Sequence, residues 1–184
     1  MDISESQKKA GKMFLDGDYL NALSLYYQIL AQDLNNSVNY YNIGLVYECI
    51  QEMELSVSYY KKSIRLNPNN VRSVNNLARI YLDVIKDYNM TETYLNHAIN
   101  AAPNDAEAYN LYGNLSMIRE DFELAISYFK KSILVDENYF KNYYDIAVAY
   151  YAINDKENAL ANINKSIELN PQFDKAHELL QEIS

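Results

Sequence analysis

The chain has 184 residues, a formal net charge of −9 and a single cysteine. The acidic balance argues against a nucleic-acid backbone or an anionic membrane as the main partner. Cys49 has no second cysteine for an internal disulfide or a paired-cysteine zinc site. No run approaches the roughly 18 apolar residues of a membrane span. Met1-Asp2-Ile3-Ser4-Glu5 opens no apolar signal segment, so a cytoplasmic protein without membrane insertion is expected.

Small residues recur at Ala10, Gly44, Ala78, Gly113 and Ala147, at spacings of 34, 34, 35 and 34. A second small series, Ala22, Ser56, Thr91, Ala125 and Ala159, follows them, and four residues further on stand Tyr26, Tyr60, Leu95, Phe129 and Ile163. A period near 34 predicts a stacked array of helix pairs. In chain order the pairs are predicted over 3–36, 37–70, 71–105, 106–139 and 140–173. The first is degenerate, with Lys9 at an apolar place and Met13 where tyrosine is usual, as in a capping unit. In the second, Tyr40, Ile43, Gly44 and Tyr47 form one helical stripe, and Ser56, Tyr59, Tyr60, Ser63 and Ile64 form the next. Gly44 and Ser56 let the two backbones approach closely. Asn67-Pro68-Asn69-Asn70 ends the pair, because proline cannot continue a helix. Pro103 and Pro171 hold the same place further on. The third unit has one residue more between Ala78 and Thr91 than its neighbours, which is placed in the turn near Asp83–Asp87. After Phe173, the stripe Ala176, Leu179, Leu180 and Ile183 predicts a capping helix over 174–184. The many asparagines, paired at Asn35-Asn36, Asn69-Asn70 and Asn75-Asn76, read as the product of an AT-rich genome.

This pattern resembles the tetratricopeptide repeat family. The family's first-helix signature stands here as Tyr40-Ile43-Gly44-Tyr47, Val74-Leu77-Ala78-Tyr81, Tyr109-Tyr112-Gly113 and Tyr143-Ile146-Ala147-Tyr150. The second-helix signature stands as Ala22-Tyr26, Ser56-Tyr60-Ser63, Ala125-Phe129-Ser132 and Ala159-Ile163-Ser166. The resemblance covers about Ile3 to Phe173. It implies an all-α fold, a right-handed superhelical solenoid of five helix-turn-helix repeats plus a C-terminal capping helix, in one domain over 1–184.

No convergent catalytic constellation, glycine-rich phosphate loop or metal-ligand spacing is visible. His97 and His177 read as ordinary surface or packing histidines, and Cys49 as a passive buried or half-buried thiol. No enzyme activity, metal or cofactor is expected. The resemblance implies that ligands lie on the concave face, built from first-helix residues off the packing stripe. Mapped by register, the expected groove holds Tyr41, Asn42, Arg72, Asn75, Asn76, Arg79, Asn110, Asn114, Tyr144 and Asp145. A row of side-chain amides offers donors and acceptors to a peptide backbone, and tyrosines add flat apolar contacts. The lysine-asparagine-arginine clamp that some family members close on chaperone tails finds no matching frame here. The expected function is therefore a non-enzymatic interaction module that binds a peptide or helix of a partner protein, with Arg72, Asn75, Asn76 and Arg79 at the groove centre and outside the core. The alternatives are a scaffold that self-associates through groove and terminal-helix contacts, or a regulatory fragment of a larger enzyme or sensor.

Overall fold

A computed structural model of the chain describes residues 3–183, and every regular element among them is helical. The chain divides into two compact units at Lys86/Asp87. The first holds α1 (Ile3–Leu15), α2 (Tyr19–Gln32), α3 (Ser37–Cys49), α4 (Met53–Leu66), α5 (Val71–Ile80) and a π-helical turn, Tyr81–Ile85. The second holds α6 (Tyr88–Ala101), α7 (Ala106–Ile118), α8 (Phe122–Val135), α9 (Phe140–Ala152), α10 (Lys156–Leu169) and α11 (Asp174–Ile183). Within each unit, helices consecutive in the chain pack on one another.

The small residues permit these close approaches. A Cβ at Gly44 would stand 2.7 Å from the Tyr60 ring, and one at Gly113 would overlap Phe129. Ala10, Ala78 and Ala147 are fully buried at the equivalent places. The short turns after α1, α3, the π-helical turn, α7 and α9 each pass through one left-handed residue: Gly17, Gln51, Lys86, Glu120 and Asn154. Glu52 N–H closes its turn on Tyr47 O at 2.9 Å, and Asp121 and Asp155 do the same on Ser116 and Tyr150.

From Gly44 to Gln51, Gly113 to Glu120 and Ala147 to Asn154 the chain takes seven steps, but from Ala78 to Lys86 it takes eight. The extra residue of the third repeat is therefore absorbed inside the helix, by the π-helical turn, and not in the loop that follows. The left-handed residue keeps its place because the turn geometry fixes it, so the surplus is pushed back into the last helical turn.

Asparagine has a mechanical role. Asn36 and Asn70 cap α3 and α5 by accepting from the N–H of Asn39 and Ser73, as Asp87, Asp105, Asp121 and Asp155 do for later helices. Two buried asparagines join one pair to the next: Asn39 Nδ2 donates to Tyr26 O at 2.7 Å, and Asn142 Nδ2 to Ser132 Oγ at 2.8 Å. Beside them, Ser63, Ser132 and Ser166 each donate to a carbonyl at the start of the preceding first helix, at Ser37, Ala106 and Phe140. The asparagine count thus has a folding role as well as a compositional one.

Candidate functional site

In the first unit, α3, α4 and α5 bring four polar side chains into a closed ring. Tyr60 Oη donates to Glu48 Oε2 at 2.8 Å and accepts from Asn76 Nδ2 at 3.0 Å. Arg79 closes the ring, donating to Asn76 Oδ1 at 3.0 Å and pairing with Glu48 Oε1 at 2.8 Å. Burial, and then the Glu48 carboxylate, push the Tyr60 phenol far above its ordinary range. Tyr60 therefore stays a neutral donor.

This ring corrects the expected groove. Asn75 is 1% exposed and Asn76 7% exposed, so both belong to the packed interior and neither lies open to a ligand. The helical wheel puts them off the small-residue stripe, but α5 is buried on nearly its whole circumference from Ser73 to Ala78. Arg79 is partly exposed, with its guanidinium committed to Glu48 and Asn76. Tyr41 and Asn42 are half-buried on α3, and the Tyr41 ring lies 5.9 Å from that of Tyr60. Arg72 is exposed. Cys49 is exposed as well, not buried or half-buried, and its thiol meets the Tyr19 hydroxyl.

In the second unit, α7 and α9 bring Asn110 and Asn114 into a line of amides. Asn114 Nδ2 donates to Asn110 Oδ1 at 3.4 Å, Asn110 Nδ2 to Asn142 Oδ1 at 2.6 Å, and Asn142 continues to Ser132. Part of the hydrogen-bonding capacity expected for a ligand is thus spent internally, while Asn110 and Asn114 remain half-buried at the surface. Beside them a cleft of about 320 Å³ opens between α7 and the α8–α9 connection, lined by Ala106, Glu107, Asn110, Ser132, Asp136 and Tyr139. Tyr144 stands edge-on to Phe173 with centroids 5.2 Å apart. Burial pushes the neighbouring Asp145 carboxyl up to about 6, against the opposing pull of Lys141 and Lys175. Register alone marked Asn110 but not Tyr139, which precedes α9 and so lies outside the first-helix stripe.

Among the described residues, no group of three or more His, Cys, Asp or Glu side chains is placed to hold a metal ion. No helix among them is long and apolar enough to cross a membrane.

The tetratricopeptide repeat profile matches residues 38–70, 106–139 and 140–173, and a second profile of the same repeat matches 59–92. The chain belongs to the tetratricopeptide repeat family. Its relatives include the Photosystem I assembly protein Ycf3 of Cyanophora paradoxa, 26% identical over 150 residues, with 76% of this chain and 75% of that protein covered. The Ycf3 of Rippkaea orientalis is 39% identical over 69 residues, and the general transcriptional corepressor ssn6 of Schizosaccharomyces pombe is 24% identical over 146. Those alignments cover 36% and 78% of this chain, but the chain spans only 40% and 13% of those two proteins. Among solved structures, YrrB, described as a TPR protein with an unusual peptide-binding site, superposes with a TM-score of 0.74 at 21% identity, covering 98% of this chain and 92% of YrrB. MamA residues 41 to the end from Desulfovibrio magneticus RS-1 gives 0.78 at 22% identity, covering 94% and 97%. These likenesses establish the fold, an all-α helical repeat.

Proposed function

We propose that this tetratricopeptide repeat protein is a non-enzymatic binding module that holds a peptide or helix of a partner protein on its first-helix face. The observation that carries this reading is the cleft beside α7. It has a tyrosine wall, the half-buried Asn110 amide in its lining, and a volume within the range of small ligand sites, about 300–1,000 Å³. Tyr139 supplies a flat apolar contact, Asn110 and Asn114 supply amides for a peptide backbone, and Tyr144 extends the face along α9. In the first unit, Arg72 is exposed and Tyr41 and Asn42 are half-buried on first helices, with Asn75 and Asn76 in the core of that unit.

The test is selection from a random peptide library on the purified protein, followed by titration of the enriched peptides against a Tyr139→Ala/Asn114→Ala variant. Tyr139 makes no side-chain cap and Asn114 only one long hydrogen bond, so the variant keeps its fold. Enriched peptides bind it at least tenfold more weakly than the parent. Equal affinity, or no enrichment at all, overturns the reading. Light scattering separates the self-associating scaffold, because a binding monomer stays at 21.4 kDa.

The likeness to the two Photosystem I assembly proteins supports a narrower version, in which the partner is a protein subunit held while a larger complex is assembled. That version requires the ligand peptide to come from a subunit that the protein releases once the complex has formed.

A further inference from the structure

We propose that the cleft between the first turn of α4 and the π-helical turn is a second docking site, taking a large apolar side chain from a partner segment flanked by lysine or arginine. The cleft measures about 410 Å³ and is lined by Met53, Val57, Val84, Ile85 and Glu54. Four of these five are apolar. Val84 and Ile85 are 53% and 48% exposed, so they stand open to solvent beside the half-buried Met53 and Val57.

The inserted residue of the third repeat falls in the segment that carries Val84 and Ile85. The turn does not require it, since Lys86 adopts the same left-handed conformation that Gln51, Glu120 and Asn154 reach without an insertion. A π-helical turn departs from the regular helical ladder, and such turns concentrate at functional sites. Here the departure leaves two β-branched apolar side chains outside the core.

The rim selects the occupant. Glu54 lines the cleft, Glu52 and Asp83 adjoin its lining residues in sequence, and all three are exposed. Glu54 is the one charged side chain among the five lining residues, so the charge the cleft itself presents is acidic. An apolar anchor between cationic residues complements both floor and rim. A second copy of this chain does not, since it brings a net charge of −9 to an acidic rim.

The experiment titrates a fluorescein-labelled peptide, Lys-Lys-Ala-Leu-Lys-Ala-Phe-Lys-Lys-Ala, by anisotropy against the whole chain. Saturable binding is expected, falling at least tenfold in Val84→Asp, in Glu54→Lys, and when the peptide's Leu and Phe become Ala. Val84→Asp adds an acid, so a purely electrostatic association would tighten, and equal or tighter binding there overturns the proposal. Loss of binding in Tyr139→Ala/Asn114→Ala with retention in Val84→Asp assigns the peptide to the α7 cleft, and also overturns it. No saturable binding to the parent does the same. Glu54 is exposed in the first turn of α4, so Glu54→Lys reports even if Val84→Asp fails to fold.

Discussion

Glu48, Tyr60, Asn76 and Arg79 share their hydrogen bonds in a ring, so truncating one member leaves its neighbours with unmet polar atoms in the interior. Asn76→Ala is expected to lower stability by about 1–3 kcal/mol, the cost of a buried group left unsatisfied. Urea unfolding checks this, and an unchanged midpoint would return Asn76 to the ligand face. Asp145 gives a pH signature. Its carboxyl titrates at about 6 in the folded chain and in the ordinary aspartate range, about 4, when unfolded. Between those values the folded state holds a proton that the unfolded state has released, so stability falls as pH rises through the window and levels off above it. Lys141 and Lys175 oppose the shift, while Tyr139 and Tyr144 face the same carboxyl. Glu92, held low first by its hydrogen bond to Arg119, has the opposite slope at lower pH. Comparing Asp145→Asn with the parent cancels such common terms, and the variant should lose the decline between about pH 4 and 6. The side chains that pack were legible, because Gly44 and Gly113 recur with the period and face Tyr60 and Phe129. The site was legible only in part, because amphipathic register cannot tell an amide open to a ligand from Asn76, which a buried tyrosine hydroxyl has claimed. Asn39 and Asn142 carried a usable signal. With Ser73 and Ala108 they form a further series on the repeat period, and all four are buried.

At the scale of elements, the insertion was visible in the spacing but its resting place was not. A surplus residue can loosen a loop or widen a helical turn, and the choice depends on which of the two is pinned by packing. Here the short turn is pinned through the left-handed Lys86, whose N–H reaches back to Tyr81 O. Tyr81 in turn is held by Lys61, with Nζ 3.0 Å from its hydroxyl and 5.5 Å from its ring centroid. Deleting Val84 restores the common spacing and lets α5 run as an ordinary α-helix to the turn. The shortened chain is expected to keep its helical circular dichroism, with a melting temperature unchanged or raised by roughly 2–4 °C, about 1 kcal/mol for a chain of this size. A fall larger than that would mean that the packing of α5 requires the widened turn. Lys130 repeats the Lys61 arrangement on Tyr150, at 2.9 Å from its hydroxyl, in a unit with no insertion. The lysine clamp is therefore a property of the repeat and survives the deletion.

In a repeat protein each pair leans on its neighbours alone, so stability is close to a sum of local terms, and the ends fray first. The last helix bears on that sum. α11 sets Ala176, Leu179 and Ile183 into one cluster with Ala147, Ala159 and Ile163, and Lys156 Nζ donates to Ile183 O at 3.2 Å. Burying a leucine or isoleucine side chain contributes about 1.5–3 kcal/mol, so removing residues 174–184 withdraws several such increments from α9 and α10. The loss should be local. Hydrogen exchange is expected to show α9 and α10 opening well before α1–α4, whose core of Ala10, Leu25, Tyr26, Ile29, Ile43 and Val46 lies in the other unit. The truncated chain would also expose Ile163, Tyr144 and Phe173 together, an apolar face of the kind that drives association. Its light-scattering mass should therefore rise with concentration while that of the full chain does not. If exchange instead quickened equally in α1–α4, the array would unfold as one cooperative body, and the additive picture of its stability would fail.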